Sequence, residues 1–91
     1  MHNNVGAHRV ARRKLAARNL TDGNKKYTQQ ELAEYLGVPR TRVSMIENGI
    51  VIPTFGEIEK IAEYLELTMG HLYTQKQIEF IMSESPARKE V

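Results

Sequence analysis

Two short apolar runs, separated by little more than one glycine, constrain the fold of this chain more than any other feature. They lie in LAEYLGVPRTRVSMIENG, residues 32–49, and their apolar residues recur at intervals of three and four. Such spacing predicts two amphipathic helices. Gly37 can supply the left-handed conformation in which helices often end. The sequence therefore predicts two closely joined helices with a sharp bend between them.

The order of small and β-branched residues favours one particular crossing angle between these two helices. Within residues 29–48, the fifth, ninth, fifteenth and eighteenth positions hold Ala33, Gly37, Val43 and Ile46. Two helices joined by a short turn can cross at about 100° only if a small side chain lets them approach and a glycine permits the turn. The segment therefore predicts a helix-turn-helix motif. Thr28 and Glu31 form a capping-box pattern that marks its start.

Three further helices are predicted around this motif. Residues 5–19, rich in alanine and arginine, predict a first helix with its inward side formed by Val10, Ala11, Leu15 and Ala17. Asp22-Gly23-Asn24 follows as a turn. Thr54 and Thr68 can cap a fourth and a fifth helix. We therefore expect one all-α domain of five helices over residues 1–82 and a disordered tail over residues 83–91.

The composition narrows the class of protein. A chain of 91 residues without cysteine has one core, no disulfide and no thiolate chemistry. No segment approaches the ~20 apolar residues that cross a bilayer, so we expect a soluble cytoplasmic protein with no membrane partner. Residues 1–30 carry seven basic residues and one acidic residue, whereas the remainder carries six and ten. This asymmetry indicates either a surface for a polyanion or a solvated basic helix.

No residue pattern in the sequence indicates catalysis. The three histidines are scattered, at His2, His8 and His71, and Ser44 has no histidine near it in sequence. A phosphate-binding glycine loop is also missing. We therefore expect no enzyme activity, no cofactor and no metal site.

The motif and the segment after it resemble a known family, the phage-repressor (Cro/CI, XRE-type) helix-turn-helix proteins. The matching text is YTQQELAEYLGVPRTRVSMIENG followed by PTFGEIEKIAEYLELTMGHLY, which covers about residues 27–73. The resemblance implies a compact, five-helix, lambda-repressor-like domain. It also implies a transcriptional regulator that binds a double-stranded DNA operator, most simply as a homodimeric repressor that places helix three, about residues 39–48, in the major groove.

Docking helix three in the major groove would direct its exposed side chains to the base edges. With Val43 and Ile46 inward, the predicted base-reading residues are Arg40, Thr41, Ser44 and Met45. The resemblance implies phosphate contacts by Gln29, at the start of helix two, and by Asn48. Thr28, which caps helix two, is a further residue predicted to contact phosphate. Charge alone adds Arg42, Lys25 and Lys26.

Departures from the family pattern give further expectations. The resemblance aligns Lys14 with an arginine that pairs with the glutamate of the ENG motif, so we expect a pair between Lys14 and Glu47. Pro39 occupies a position where relatives have a serine or threonine cap, which predicts a weaker start of helix three. About eight extra residues precede TQQE, which indicates either a longer first helix or a loop that reaches the DNA backbone. We favour the loop.

Apolar residues replace the basic loop that relatives have after Gly49. Ile50, Val51 and Ile52 indicate either packing against helices four and five or a homodimer interface. A dimerisation helix over about residues 69–82 adds further candidate interface residues, which are Leu72, Tyr73, Ile78, Phe80 and Ile81. An alternative is an antitoxin or anti-repressor type of protein, whose main partner is another protein and which could also repress its own operon.

Overall fold

Five α-helices form the described part of the chain in this computed structural model, which describes residues 1–18 and 25–84. They are α1 (Val5–Arg18), α2 (Gln29–Leu36), α3 (Arg40–Glu47), α4 (Phe55–Leu65) and α5 (Gln75–Glu84), with a 3₁₀ turn at Met69–His71. These two ranges contain no strand, and the predicted all-α class is confirmed. Within them, no helix is both long enough and apolar enough to span a bilayer.

The core lies between α2 and the helices that follow it. α2 packs against both α3 and α4, and α1 lies across α3 and α4. Large side chains with less than 2% of their surface exposed include Leu32, Ile46, Ile58, Ile61, Leu65, Leu72 and Ile81. Burying one such aliphatic side chain contributes about 1.5–3 kcal/mol. The inward side of α3 is therefore fixed by the core, and its outward side is left for other contacts.

The inward side of α1 differs from the predicted one. The residues predicted to point inward are exposed: Val10, Ala11, Leu15 and Ala17. The observed inward residues are Val5, Arg9, Arg12 and Ala16. The prediction is wrong because Arg9 and Arg12 have partners in other parts of the chain. The apolar pattern of α1 alone does not reveal these partners.

Residues 1–4 are held against two parts of the domain. The Asn3 side-chain amide donates to the Ile46 carbonyl oxygen at 2.9 Å. The Asn4 backbone N–H donates to the Leu72 carbonyl oxygen at 3.0 Å. The start of α1 is thereby fixed beside the C-terminal end of α3.

The predicted fifth helix is divided in two. Thr68 precedes only the 3₁₀ turn, and α5 begins at Gln75. Thr74 makes the cap of α5, because its hydroxyl oxygen accepts from the Gln77 N–H at 3.1 Å and its own N–H donates to the Gln77 side chain at 2.9 Å. The TQKQ sequence thus forms a reciprocal capping box, as Thr54 and Glu57 do at the start of α4.

The predicted ends and turns are only partly covered by the structure. α5 continues to Glu84, so residues 83 and 84 are helical rather than part of a tail. Residues 85–91 and the predicted Asp22-Gly23-Asn24 turn lie outside the described residues. The expected approach of the loop before TQQE to DNA therefore stays a prediction.

Candidate nucleic-acid interface

The turn between α2 and α3 has the backbone geometry that its sequence predicts. Gly37 ends α2 in the left-handed region, with φ 74°. Its N–H donates to the Glu34 carbonyl oxygen at 3.2 Å, and the Val38 N–H donates to the Ala33 carbonyl oxygen at 3.0 Å. Ala33 is fully buried, which is consistent with the close approach of two helices at this point. The two helices therefore form the predicted helix-turn-helix.

The outward side of α3 carries the four residues predicted to read bases. Arg40 and Thr41 are exposed, and Ser44 and Met45 are partly exposed, whereas Val43 and Ile46 are each 1% exposed in the core. The apolar spacing therefore predicted the rotation of α3 correctly.

A chain of hydrogen bonds connects this outward side to the interior. The Arg40 guanidinium donates to the side-chain oxygen of Gln29 at 3.2 Å. The Gln29 amide in turn donates to the Glu47 carboxylate at 2.9 Å. Gln29, in the first turn of α2, thus links the first residue of α3 to the last.

The buried partner of Glu47 is Arg9, so the predicted pair with Lys14 is wrong. The Arg9 Nε and Nη2 atoms donate to the two Glu47 carboxylate oxygens at 2.6 and 3.2 Å, and these side chains are 8% and 7% exposed. Lys14 is exposed, because five residues along a helix correspond to a rotation of about 140°. Arginine also suits this position better than lysine, because its planar fork contacts both oxygens at once.

Arg9 also fixes the residue that leads into α2. Its Nη1 atom donates to the Tyr27 carbonyl oxygen at 3.0 Å. Tyr27 is fully buried and has φ 55°, a left-handed conformation that costs a non-glycine residue roughly 1–3 kcal/mol. The Arg12 guanidinium lies 5.3 Å from the centre of the Tyr27 ring. The sequence analysis missed these three residues, and the 5, 9, 12, 16 spacing along α1 could have indicated only the two arginines.

The start of α2 is capped in a variant of the predicted way. The Thr28 hydroxyl oxygen accepts from the Glu31 N–H at 3.1 Å, as predicted. The Glu31 carboxylate, however, accepts from the N–H groups of Lys26 and Tyr27, at 2.9 and 3.0 Å, and from the Tyr64 hydroxyl. Burial alone would raise the pKa of Glu31, but these hydrogen bonds outweigh burial and lower it. The side chain therefore stays charged at neutral pH.

Arg42 faces α4 rather than open solvent. Its guanidinium forms a fork with the Glu57 carboxylate, with Nε to Oε2 at 3.1 Å and Nη2 to Oε1 at 2.8 Å. Burial alone would raise the pKa of Glu57, but the hydrogen bonds from Arg42 and Thr54 outweigh burial and lower it. The hydrogen bond to Glu57 raises the pKa of Arg42. The donors predicted to contact phosphate are thus already bonded to a carboxylate.

The other residues predicted to contact phosphate have different surroundings. Asn48 is exposed at the end of α3, where its amide donates to the Ser44 hydroxyl at 3.3 Å. The Lys25 ammonium lies 5.1 Å from the centre of the Tyr64 ring, beside a surface that includes Glu31. Lys26 is exposed. Asn48 therefore lies on the helix-turn-helix, whereas Lys25 lies beside α4.

Burial within the chain removes several candidate dimer-interface residues from the surface. Four of its residues are core residues with 1–7% exposure and have little surface for a partner: Leu72, Tyr73, Ile78 and Ile81. Val51 is partly buried and packs against the same core. Ile50, Ile52 and Phe80 are 68%, 46% and 46% exposed. The apolar loop after α3 therefore serves the core through Val51 and leaves the two isoleucines at the surface.

Comparison with protein families agrees with this architecture. The helix-turn-helix family matches residues 13–72, which is about two thirds of the chain. The matched range extends from the second half of α1 to just past the 3₁₀ turn, and Arg9 lies before it. Neither the curated proteins nor the solved structures compared with the chain include a match.

Proposed function

We propose that this chain is a homodimeric, sequence-specific repressor. It belongs to the XRE-type helix-turn-helix family of DNA-binding transcription regulators. In this proposal, α3 is the recognition helix and lies in the major groove of operator DNA. In this proposal, repression follows from occupancy of a promoter by the bound protein.

The exposed outward side of α3 is the observation that carries this proposal. The major groove is about 12 Å wide and admits one helix, and arginine commonly contacts guanine there with both ends of its fork. Arg40 is exposed at the first position of α3. One of its N–H groups donates to Gln29, and a guanidinium has five N–H donors, so others can make such a contact. Thr41 and Met45 supply methyl groups for a thymine methyl, and Ser44 supplies a hydroxyl.

Phosphate contacts would fix the register of α3 on the DNA. Gln29 and Thr28 lie at the N-terminus of α2, where backbone N–H groups and the helix dipole favour an anion. Asn48 lies at the other end of the motif. We assign these three residues to the DNA backbone.

A matched pair of arginine variants tests the reading of DNA by α3. The probe is a duplex enriched from random sequence by the unaltered protein, compared with its scrambled version. R40A should reduce the preference between them by about 1–3 kcal/mol, because it removes a base contact. R13A changes an exposed arginine of α1, removes the same charge and should leave the preference unchanged. Equal effects of the two variants would rule out base reading by Arg40.

Dimerisation is proposed because one recognition helix reads only a few base pairs, whereas a two-fold dimer reads two half-sites. Ile50, Ile52 and Phe80 are the exposed apolar residues that we assign to the interface. The double variant I50D/I52D should give monomers in sedimentation analysis. The matched control is V10D/L15D, which places the same charges on exposed apolar residues of α1. A dimer that survives I50D/I52D would exclude this loop as the interface.

The same exposed apolar residues favour a second candidate, an antitoxin or anti-repressor type of protein. That function would require a different protein to cover Ile50 and Ile52. It predicts a monomer when the chain is alone and a complex that I50D/I52D abolishes. A dimer of the isolated chain with strong DNA preference would favour the repressor.

A further inference from the structure

The first turn of α3 is supported weakly by its own sequence. α3 has only eight residues, and isolated helices shorter than about 12–15 residues are marginal in water. Pro39 occupies the cap position, and proline has no side-chain acceptor for the free N–H groups of the first turn. A good cap contributes about 1 kcal/mol. Contacts with other helices must therefore hold Arg40 and Thr41 in place.

Arg42 makes such a contact within the same turn. Its fork to Glu57 has two bonds, at 3.1 and 2.8 Å, and the two side chains are 29% and 14% exposed. A bidentate pair fixes direction as well as distance, unlike a single point contact. The fork therefore restrains the tilt of α3, not only its separation from α4.

Glu57 is itself held by the start of α4. Its carboxylate accepts from the Thr54 N–H at 2.8 Å, and its own N–H donates to the Thr54 hydroxyl oxygen at 3.1 Å. The next residue, Ile58, is fully buried. The carboxylate thus connects the first turn of α3 to a part of α4 that is anchored in the core.

We propose that Glu57 is a positioning residue for DNA recognition. Through Arg42 it sets the angle at which the outward side of α3 meets the base edges, and it touches no DNA itself. This inference rests on the proposed function, in which α3 reads DNA. It also gives Arg42 a structural role in place of the phosphate contact predicted from its charge.

The two roles of Arg42 have opposite consequences when Glu57 loses its charge. If Arg42 binds phosphate, E57Q frees the guanidinium and removes a negative charge, so binding to every duplex becomes tighter. If Glu57 positions α3, the same variant weakens binding to the enriched duplex and leaves binding to the scrambled duplex nearly unchanged. The ratio of the two affinities therefore separates the roles.

The experiment measures fluorescence anisotropy of the full chain on the enriched and the scrambled duplex, at a temperature where circular dichroism shows every variant folded. E57Q keeps a side chain that can complete the capping box, because glutamine also serves at this position. We expect the affinity ratio to fall about tenfold. E59Q, which makes the same charge change at an exposed position of α4, should keep the ratio of the unaltered protein.

A second variant guards against a purely structural effect of E57Q. R42K keeps the charge but cannot form the fork, so it should lower the ratio in the same way. Tighter binding of E57Q to both duplexes, or a ratio equal to that of E59Q, would overturn the positioning role alone. If the unaltered protein enriches no sequence and shows no preference, the proposed function fails, and the positioning role fails with it.

Discussion

Replacing Arg9 with methionine tests the ion pair that joins α1 to the end of α3. Glu47 accepts three hydrogen bonds, two from Arg9 and one from Gln29. R9M removes the first two and leaves a carboxylate that is 7% exposed with one amide donor. It also removes the donor to the Tyr27 carbonyl oxygen.

The expected loss is large compared with the stability of a small domain. Removing one partner of a buried ion pair typically costs about 3–5 kcal/mol, because the other charge remains buried. The free energy of unfolding of such a domain is about 5–15 kcal/mol. R9M should therefore remove between about a fifth of the stability and all of it. R9K keeps the charge without the fork and should lose less.

Urea unfolding followed by circular dichroism measures this loss, provided that the slope with urea is the same for all variants. The matched control is K14M, which makes the same charge change on the exposed side of α1. Exposed substitutions of this kind usually change stability by less than about 0.5 kcal/mol. The reasoning is refuted if R9M and K14M are equally stable, or if K14M is the more destabilised variant.

Two further predictions concern the left-handed turn at Gly37 and the pH dependence of the stability that Glu57 contributes. G37A should cost about 1 kcal/mol in urea unfolding, because φ is 74° although a Cβ atom would meet nothing within 4 Å. G56A, inside α4, should instead stabilise the protein by up to about 1 kcal/mol. A G37A variant as stable as the unaltered protein would contradict the left-handed conformation at this turn. E57Q should destabilise the protein at neutral pH, because the hydrogen bonds from Arg42 and Thr54 outweigh burial and hold the folded-state pKa of Glu57 below its ordinary value of 4.5. This difference should shrink as pH falls below 4.5 and Glu57 becomes protonated in the folded state; a difference that is unchanged at about pH 3 would refute it.

The helix-turn-helix could be predicted because its signals are local. Ala33, Gly37, Val43 and Ile46 act within one short segment, and each has the burial or the backbone conformation that its spacing predicts. The cap at Thr54 was predicted for the same reason, since its partner Glu57 is three residues away.

The orientation of α1 could not be predicted in this way. Arg9 points inward because of Glu47, which is 38 residues away in the sequence. Prediction from the spacing of apolar residues assigns arginines to the solvent-exposed side. In a helix with few large apolar residues, such as α1, it therefore selects the wrong inward side. The Arg42 fork was missed for a related reason, since a basic residue on a recognition helix suggests phosphate until its carboxylate partner is seen.

The fifth helix was wrongly bounded because two capping signals compete. Thr68 precedes the apolar Met69, and Thr74 precedes Gln77, which completes its capping box. Gly70 weakens the first turn after Thr68. The structure accordingly forms a 3₁₀ turn there and starts α5 after Thr74.

Selection of duplexes from a random-sequence pool by the full chain tests the central claim most directly. A homodimer that reads DNA through α3 predicts an enriched sequence with two inverted half-sites centred about 10 base pairs apart. Its affinity should exceed that for the scrambled duplex by ~10³-fold or more at physiological salt. No enriched sequence, with equal and strongly salt-dependent binding to every duplex, would contradict the account.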